Sequence, residues 1–392
     1  MNLRSIITTI EDEPYRVFFP LGIIAGILGV SLWPLWFAGR IDIYPGPAHS
    51  RLMVEGFFTA FIFGFLGTAG PRMLGVKSFS IGFWSLIGIL WLGAQTASLI
   101  GASNLAEGGF ATAILCFLIA LGQRFPHRSG LPPPGFILVL TSLLGAFFAA
   151  LTQMPVIQNT SLQISPFVWI LGRNFLTETY VLLPILGAAP FFFGRFGNLT
   201  PKHIPSDEPT PPHRWKEQAT YCLATGIMLL AAMFLKTVGM LRSGAILQGI
   251  VITVFVATQI PWQYPKPVST LARIAQIALL CLVIAPLAEA IWPQSRLAWR
   301  HLLLISGFQW IVVCVATWVA FAHAGRRLQC LNRWPVLQCC LIGWILAVVS
   351  RMIAEWVPSI HDTHLIYAAL LWIASCSLWL GLLIPSLRSE SQ

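Results

Sequence analysis

The sequence predicts an all-α protein, a polytopic transmembrane bundle of about 12 spans with both termini on the cytoplasmic side (N-in/C-in). Three observations lead there. The first is composition: 56% of the 392 residues are hydrophobic and only 10% are charged, with a mean hydropathy of +0.76. A soluble domain is about a quarter charged, because its surface has to be wetted. The second is segment length. About twenty apolar residues cross a bilayer as a helix, and stretches of that size lie near 17–38, 52–70, 79–101, 105–122, 134–154, 166–194, 218–236, 243–261, 270–292, 301–323, 335–353 and 364–385. The third is charge placement. With the N-terminus inside, sixteen of the 24 Lys and Arg fall on the inner side, among them Arg16, Arg72, Lys77, Arg124, Arg326 and Arg388. Seven fall outside (Arg40, Arg51, Lys236, Arg242, Arg296, Arg300 and Arg351), and Arg173 stays within the sixth stretch. Cytoplasmic loops carry the excess of basic residues, which sets the orientation.

The connections are short and rich in Pro and Gly, as at Pro45-Gly46-Pro47 and Pro132-Pro133-Pro134. One longer polar link, 196–217, holds Lys202, Asp207, Glu208, Arg214 and Lys216. It divides one membrane domain into a first six-helix half, 1–195, and a second, 218–392, between which no sequence repeat is visible. The opening residues include Glu11, Asp12 and Glu13, with no small-residue cleavage site after a short apolar core, so the first stretch is expected to remain as a spanning helix. The partner this architecture requires is the lipid bilayer. A net charge of +10 is accounted for by topology. No nucleic-acid partner is expected, since no basic run is interleaved with aromatics in a folded module. The eight cysteines form no CxxC pair and mostly sit in apolar stretches, where they act as small hydrophobes. Nucleotide-binding loops, HExxH and GxSxG elbows are absent from suitable settings, which argues against soluble-type hydrolases and nucleotide-driven pumps.

Ionisable residues inside spans are costly and therefore informative. Arg173 and Glu178 in the sixth stretch are expected to pair with each other, or to hold an anionic group such as a haem propionate or a substrate carboxylate. Glu55 follows Arg51 by four residues, a spacing that pairs charges along one helix face. His49, His301, His361 and His364 fall at the outer ends of the second, tenth and twelfth stretches, where converging imidazoles would ligate a metal or haem iron. Met53 lies one turn from His49, and Asp362 lies beside His361 and His364. Against this, a single interfacial histidine more often bonds a carbonyl or a lipid headgroup. The sixteen tryptophans cluster near span ends, as an aromatic belt does.

The order of motifs resembles the NnrS family of bacterial inner-membrane proteins. Pro14-Tyr15-Arg16-Val17-Phe18-Phe19 is similar to the P-x-R-x-F-F opening of that family. His49, Met53, Gly56 and Phe57, then Gly64-Phe65-Leu66-Gly67-Thr68-Ala69 and Pro71, are similar to H-A-H-E-M-x-x-G-F followed by G-F-L-x-T-A-x-P. Trp91-Leu92-Gly93-Ala94 and Pro190-Phe191-Phe192 add weaker matches. His301-Leu302-Leu303, Gly307 and Ala322-His323-Ala324-Gly325-Arg326 resemble H-x-L followed by G-H-T-G-R. Two departures stand out: Arg51 replaces the second histidine of H-A-H-E-M, and Leu52 its glutamate. The resemblance implies twelve spans, haem and copper as cofactors, and a role in the response to nitric oxide or to the iron-nitrosyl species it forms. It carries His49, His301 and His323 over as candidate ligands, with Met53 beside His49 and with Arg51 or Arg173 available to haem propionates; His361 and His364 are metal candidates from topology alone. His323 is about 33 Å from His301 at 1.5 Å per residue, so it cannot serve the same site and is expected to cap the tenth helix beside Arg326 and Arg327. Two other classes stay open: a secondary transporter of a small anionic solute, with the sixth helix broken at Pro166, Pro184 and Pro190, and a non-catalytic assembly partner of a respiratory complex.

Overall fold

The computed structural model describes residues 3–158, 164–196, 212–261, 269–326 and 335–388. Most of the polar link at 196–217 falls outside them, with Lys202, His203, Asp207 and Glu208, as do Lys266, Arg327 and Arg333. The described residues form helices and no strand. After a short helix, Leu3–Asp12, twelve helices are long and apolar enough to cross a membrane. They are Tyr15–Phe37, Gly46–Leu74, Ile81–Leu99, Ser103–His127, Phe136–Gln153, Pro166–Phe193, Arg214–Thr237, Leu241–Gln259, Thr270–Ile291, Pro293–His323, Pro335–Trp356 and Pro358–Leu387, called here spans 1 to 12.

Local chemistry explains where several of them begin. The side chains of Ser80, Ser165 and Ser269 accept from the backbone N–H three residues on and so cap spans 3, 6 and 9. Pro47, Pro293 and Pro358 stand in the first turns of spans 2, 10 and 12, where a missing N–H costs nothing. These three spans begin six to eight residues earlier than apolarity alone suggests, at Gly46, Pro293 and Pro358 rather than near 52, 301 and 364. Hydropathy stops at polar residues, whereas helix geometry starts at the proline. Span 2 ends at Gly75, whose φ of 63° closes the helix in the left-handed region.

The bundle follows a three-fold plan. Spans 2, 6 and 10 bury 67–83% of their central residues, against 33–56% for the other nine. Span 2 packs between spans 1 and 3, span 6 between spans 5 and 7, and span 10 between spans 9 and 11. Spans 4, 8 and 12 close the gaps, joining span 3 to 5, span 7 to 9 and span 11 back to 1. The three inner helices touch through the Phe58–Phe308, Phe65–Phe192 and Phe192–Trp318 ring pairs, and the Tyr180 hydroxyl meets Thr59 Oγ1 at 2.9 Å. Small residues allow close approach, as membrane helices require in the absence of a hydrophobic drive between them. A Cβ on Gly26 would lie 2.8 Å from the Trp372 ring and 2.9 Å from that of Phe57.

Each inner helix contains a π-helical stretch at the same place in its course: Leu52–Phe58, Phe175–Thr179 and Leu302–Gln309. Wider turns of this kind re-aim side chains and recur at functional sites. Pro184 then removes a backbone donor from span 6, and the Tyr180 carbonyl it would have served accepts from Ser142 Oγ at 2.6 Å.

Both termini lie on one face, where Arg16 Nη1 donates to the Leu387 carbonyl at 2.7 Å. The same face holds a buried hub around Glu13, which is 4% exposed. Its carboxylate accepts from Arg16 Nε at 2.6 Å and from His323 Nδ1 at 2.6 Å, with Arg72 Nη2 at 3.5 Å. Arg72 Nη1 in turn donates to His323 Nε2 at 3.2 Å. His323 therefore ties span 10 to the chain before span 1, rather than capping its own helix beside Arg326. Burial pushes the Glu13 carboxyl up, but the bonds from His323 and Arg16 outweigh it and hold the group at about 2. Relative to an ordinary 4.5 this amounts to about 3 kcal/mol, complete above pH 4.5 and lost as pH falls toward 2. Glu13→Gln is expected to lower the melting midpoint of the detergent-solubilised protein at pH 7 and to flatten its decline between pH 4.5 and 2. Native stability in the variant, with undiminished acid sensitivity, would show that the hub is not holding the face together.

Candidate functional site

The face opposite the termini, here the distal face, carries His49, His301, His361 and His364. His49 stands in the first turns of span 2, and its Nδ1 lies 3.0 Å from the Gly29 carbonyl of span 1. Its ring packs edge-on to Trp33, with centroids 5.9 Å apart. His301 stands where span 10 enters its π-helical stretch, with Nδ1 2.8 Å from the Leu297 carbonyl one turn earlier. A carbonyl oxygen only accepts, so each ring has its proton on Nδ1 and its lone pair on Nε2. Among the described residues neither Nε2 has a hydrogen-bond partner. An imidazole oriented by a carbonyl behind it, with its other nitrogen open, is the arrangement metal-bound histidines adopt. The two rings share one face and lie within electrostatic reach of each other. Arg351 is a charged neighbour of both, and Arg300 of His301. Arg351 is 9% exposed and, among the described residues, has one carboxylate within 4 Å, Glu355 at 3.5 Å.

His361 and His364 are oriented through Nδ1 as well, from span 11. His361 Nδ1 bonds the Ala354 carbonyl at 2.9 Å and His364 Nδ1 bonds Ser350 Oγ at 2.9 Å, both on span 11. Among the described residues no three His, Cys, Asp or Glu side chains come together as a metal cage requires. Met53 is partly buried against the core. Arg51 turns away from Glu55 to Glu107 of span 4, at 2.7 Å, and to Ser103 Oγ at 3.1 Å. Arg51 and Glu55 make no direct ion pair, although Arg51 stays a charged neighbour of Glu55. Gln95, 5% exposed, covers Gly56 with its amide and has no hydrogen-bond partner among the described residues.

Arg173 is exposed, 5.5 Å over the Trp169 ring, and is not the partner of Glu178. Five residues of helix put the two on different sides. Glu178 instead enters a buried ion network. Lys236 Nζ lies 3.0 Å from Glu178 and 2.6 Å from Glu289, and its third hydrogen bond goes to Gln248 Oε1 at 2.9 Å. Arg300 binds Glu178 with Nε at 2.8 Å, and Arg296 Nε lies 3.0 Å from Glu289. Spans 6 to 10 are joined this way. In the sequence Lys236, Arg296 and Arg300 count only as outer-side charges, and no spacing signal links them to Glu178.

The family model described as NnrS protein matches residues 9–390. The chain belongs to the NnrS family. No curated protein matches it. The NnrS-like motifs read from the sequence converge at the two ends of spans 2 and 10. The opening Tyr15-Arg16 motif meets Arg72, just past Pro71, and His323 at the terminal face, and His49 and His301 share the distal face. A haem needs at most two axial donors from the protein and cations for its carboxylates. The open Nε2 atoms of His49 and His301 and the guanidinium of Arg351 fit those needs. A protein-built copper cage is not matched, since three donors do not converge among the described residues and Arg51 and Leu52 fill the positions of two polar residues in the NnrS pattern.

Lys236→Met is expected to leave Glu178 and Glu289 buried without their shared cation. Removing one partner of a buried pair costs on the order of 3–5 kcal/mol. The measurement is the unfolding midpoint in detergent, and an unchanged midpoint would mean the network contributes nothing to holding spans 6 to 10 together.

Proposed function

We propose that this NnrS-family protein is a haem protein of the bacterial inner membrane that acts in the response to nitric oxide and nitrosative stress. The observation that carries the reading is the pair His49 and His301: one face, Nδ1 fixed by a carbonyl in each ring, Nε2 open in both, and Arg351 beside them. His49 and His301 would hold the haem iron through their Nε2 atoms. Arg351 would take the propionate-binding part that the sequence alone suggests for Arg51 or Arg173. Haem, when bound, supplies an iron that accepts nitric oxide as a ligand. The protein's own contribution is to orient the imidazoles, to set the local charge and to keep the site at the membrane boundary. Copper forms no part of the proposal.

Absorbance of the purified protein, oxidised and reduced, with and without nitric oxide, tests this. The native protein is expected to show a Soret band that shifts with the gas, and His49→Ala/His301→Ala to lose it. Haem retained unchanged in the double variant would remove both ligands from the proposal. A featureless spectrum from haem-replete cells would instead favour a transporter of a small anion, the reading that the excess of cations over carboxylates in the Lys236 network supports.

A further inference from the structure

The three inner helices do not fill the space between them. On the terminal side of the π-helical stretches they leave a cavity of about 70 Å³. Its walls include Phe61 of span 2, Ile185 and Ala188 of span 6, and Val312 and Val315 of span 10, and every lining side chain is hydrocarbon. Protein interiors are close-packed, and voids larger than a water molecule are few. This one is held open by stiff parts. It is partly open rather than sealed, and Phe58, which meets Phe308, and Phe192, which meets Trp318, stand among its walls. Pro184 forms part of the wall, and the carbonyl it orphans is already matched by Ser142, so the bent helix has no unpaired group pulling it inward.

Chemistry and size select the occupant. A buried water needs two to four polar partners, and this lining offers none. Ions are excluded for the same reason. An apolar cavity of about 150 Å³ holds benzene or xenon; half that volume is too small for an acyl chain or a ring and large enough for an atom or a diatomic. We propose that this cavity is a binding site for an uncharged gas of one or two atoms, reached from the hydrocarbon of the bilayer. The site does not depend on haem, because no histidine or arginine lines it.

Crystals of the full-length protein pressurised with xenon test it directly. One xenon is expected in contact with Phe61, Ile185 and Val312. Ala188→Leu and Val315→Phe fill the space from two different helices, so the test survives if either fails to fold. Each filled variant is expected to lose the xenon and to keep or raise its melting midpoint. An empty native cavity, xenon bound only elsewhere, or density for a lipid tail or water in the cavity would overturn the proposal. The absorbance spectrum of the same variants reports on haem separately, so failure here leaves the reading of His49 and His301 untouched.

Discussion

Carrying Glu178 and Glu289 into the interior of a helical bundle is unfavourable unless each meets a cation, and Lys236 meets both at once. Its ammonium has three donors, and all three are used, the last on Gln248. An ammonium so enclosed is itself tolerable only because the carboxylates are there. The arrangement fixes the mutual height of spans 6, 7, 8 and 9, and through Arg300 it fixes span 10, on which His301 sits in the next position. The candidate site is thus built on a helix whose distal end is clamped by charge.

The rest of the geometry is arranged around the π-helical stretches. In span 2 Arg51 reaches Glu107 of span 4 while Glu55 stays buried. In span 6 Arg173 faces outward and Glu178 faces the network. The Lys236 ion network lies toward the distal ends of these helices, the aromatic and aliphatic packing of spans 2, 6 and 10 lies beyond the π-helical stretches, and the Glu13 hub follows at the terminal face.

Much of this was readable from the residues. Twelve apolar stretches gave twelve helices, and ordered motifs from Pro14 to Arg326 gave the family. The shared face of His49 and His301 followed from counting spans. What could not be read has physical causes. Hydropathy ends at the first polar residue, so it passes over the prolines that start spans 2, 10 and 12, and Lys236, Arg296 and Arg300 count only as outer-side charges. A π-helical turn leaves no mark on composition. The bond between His323 and Glu13 joins residues 310 positions apart, and only the three-fold packing brings them together. Charge spacing misleads at Arg51, whose ion pair is with Glu107 of span 4.

The seam between spans 12 and 1, sealed where Arg16 reaches the Leu387 carbonyl, bears on how the protein is made. Two helices far apart along the chain are neighbours in the finished ring, and Trp372 of span 12 covers span 1 at Gly26. Until span 12 docks, that part of span 1 is exposed to lipid, so closure of the ring waits on a long-range contact however well the other helices have inserted.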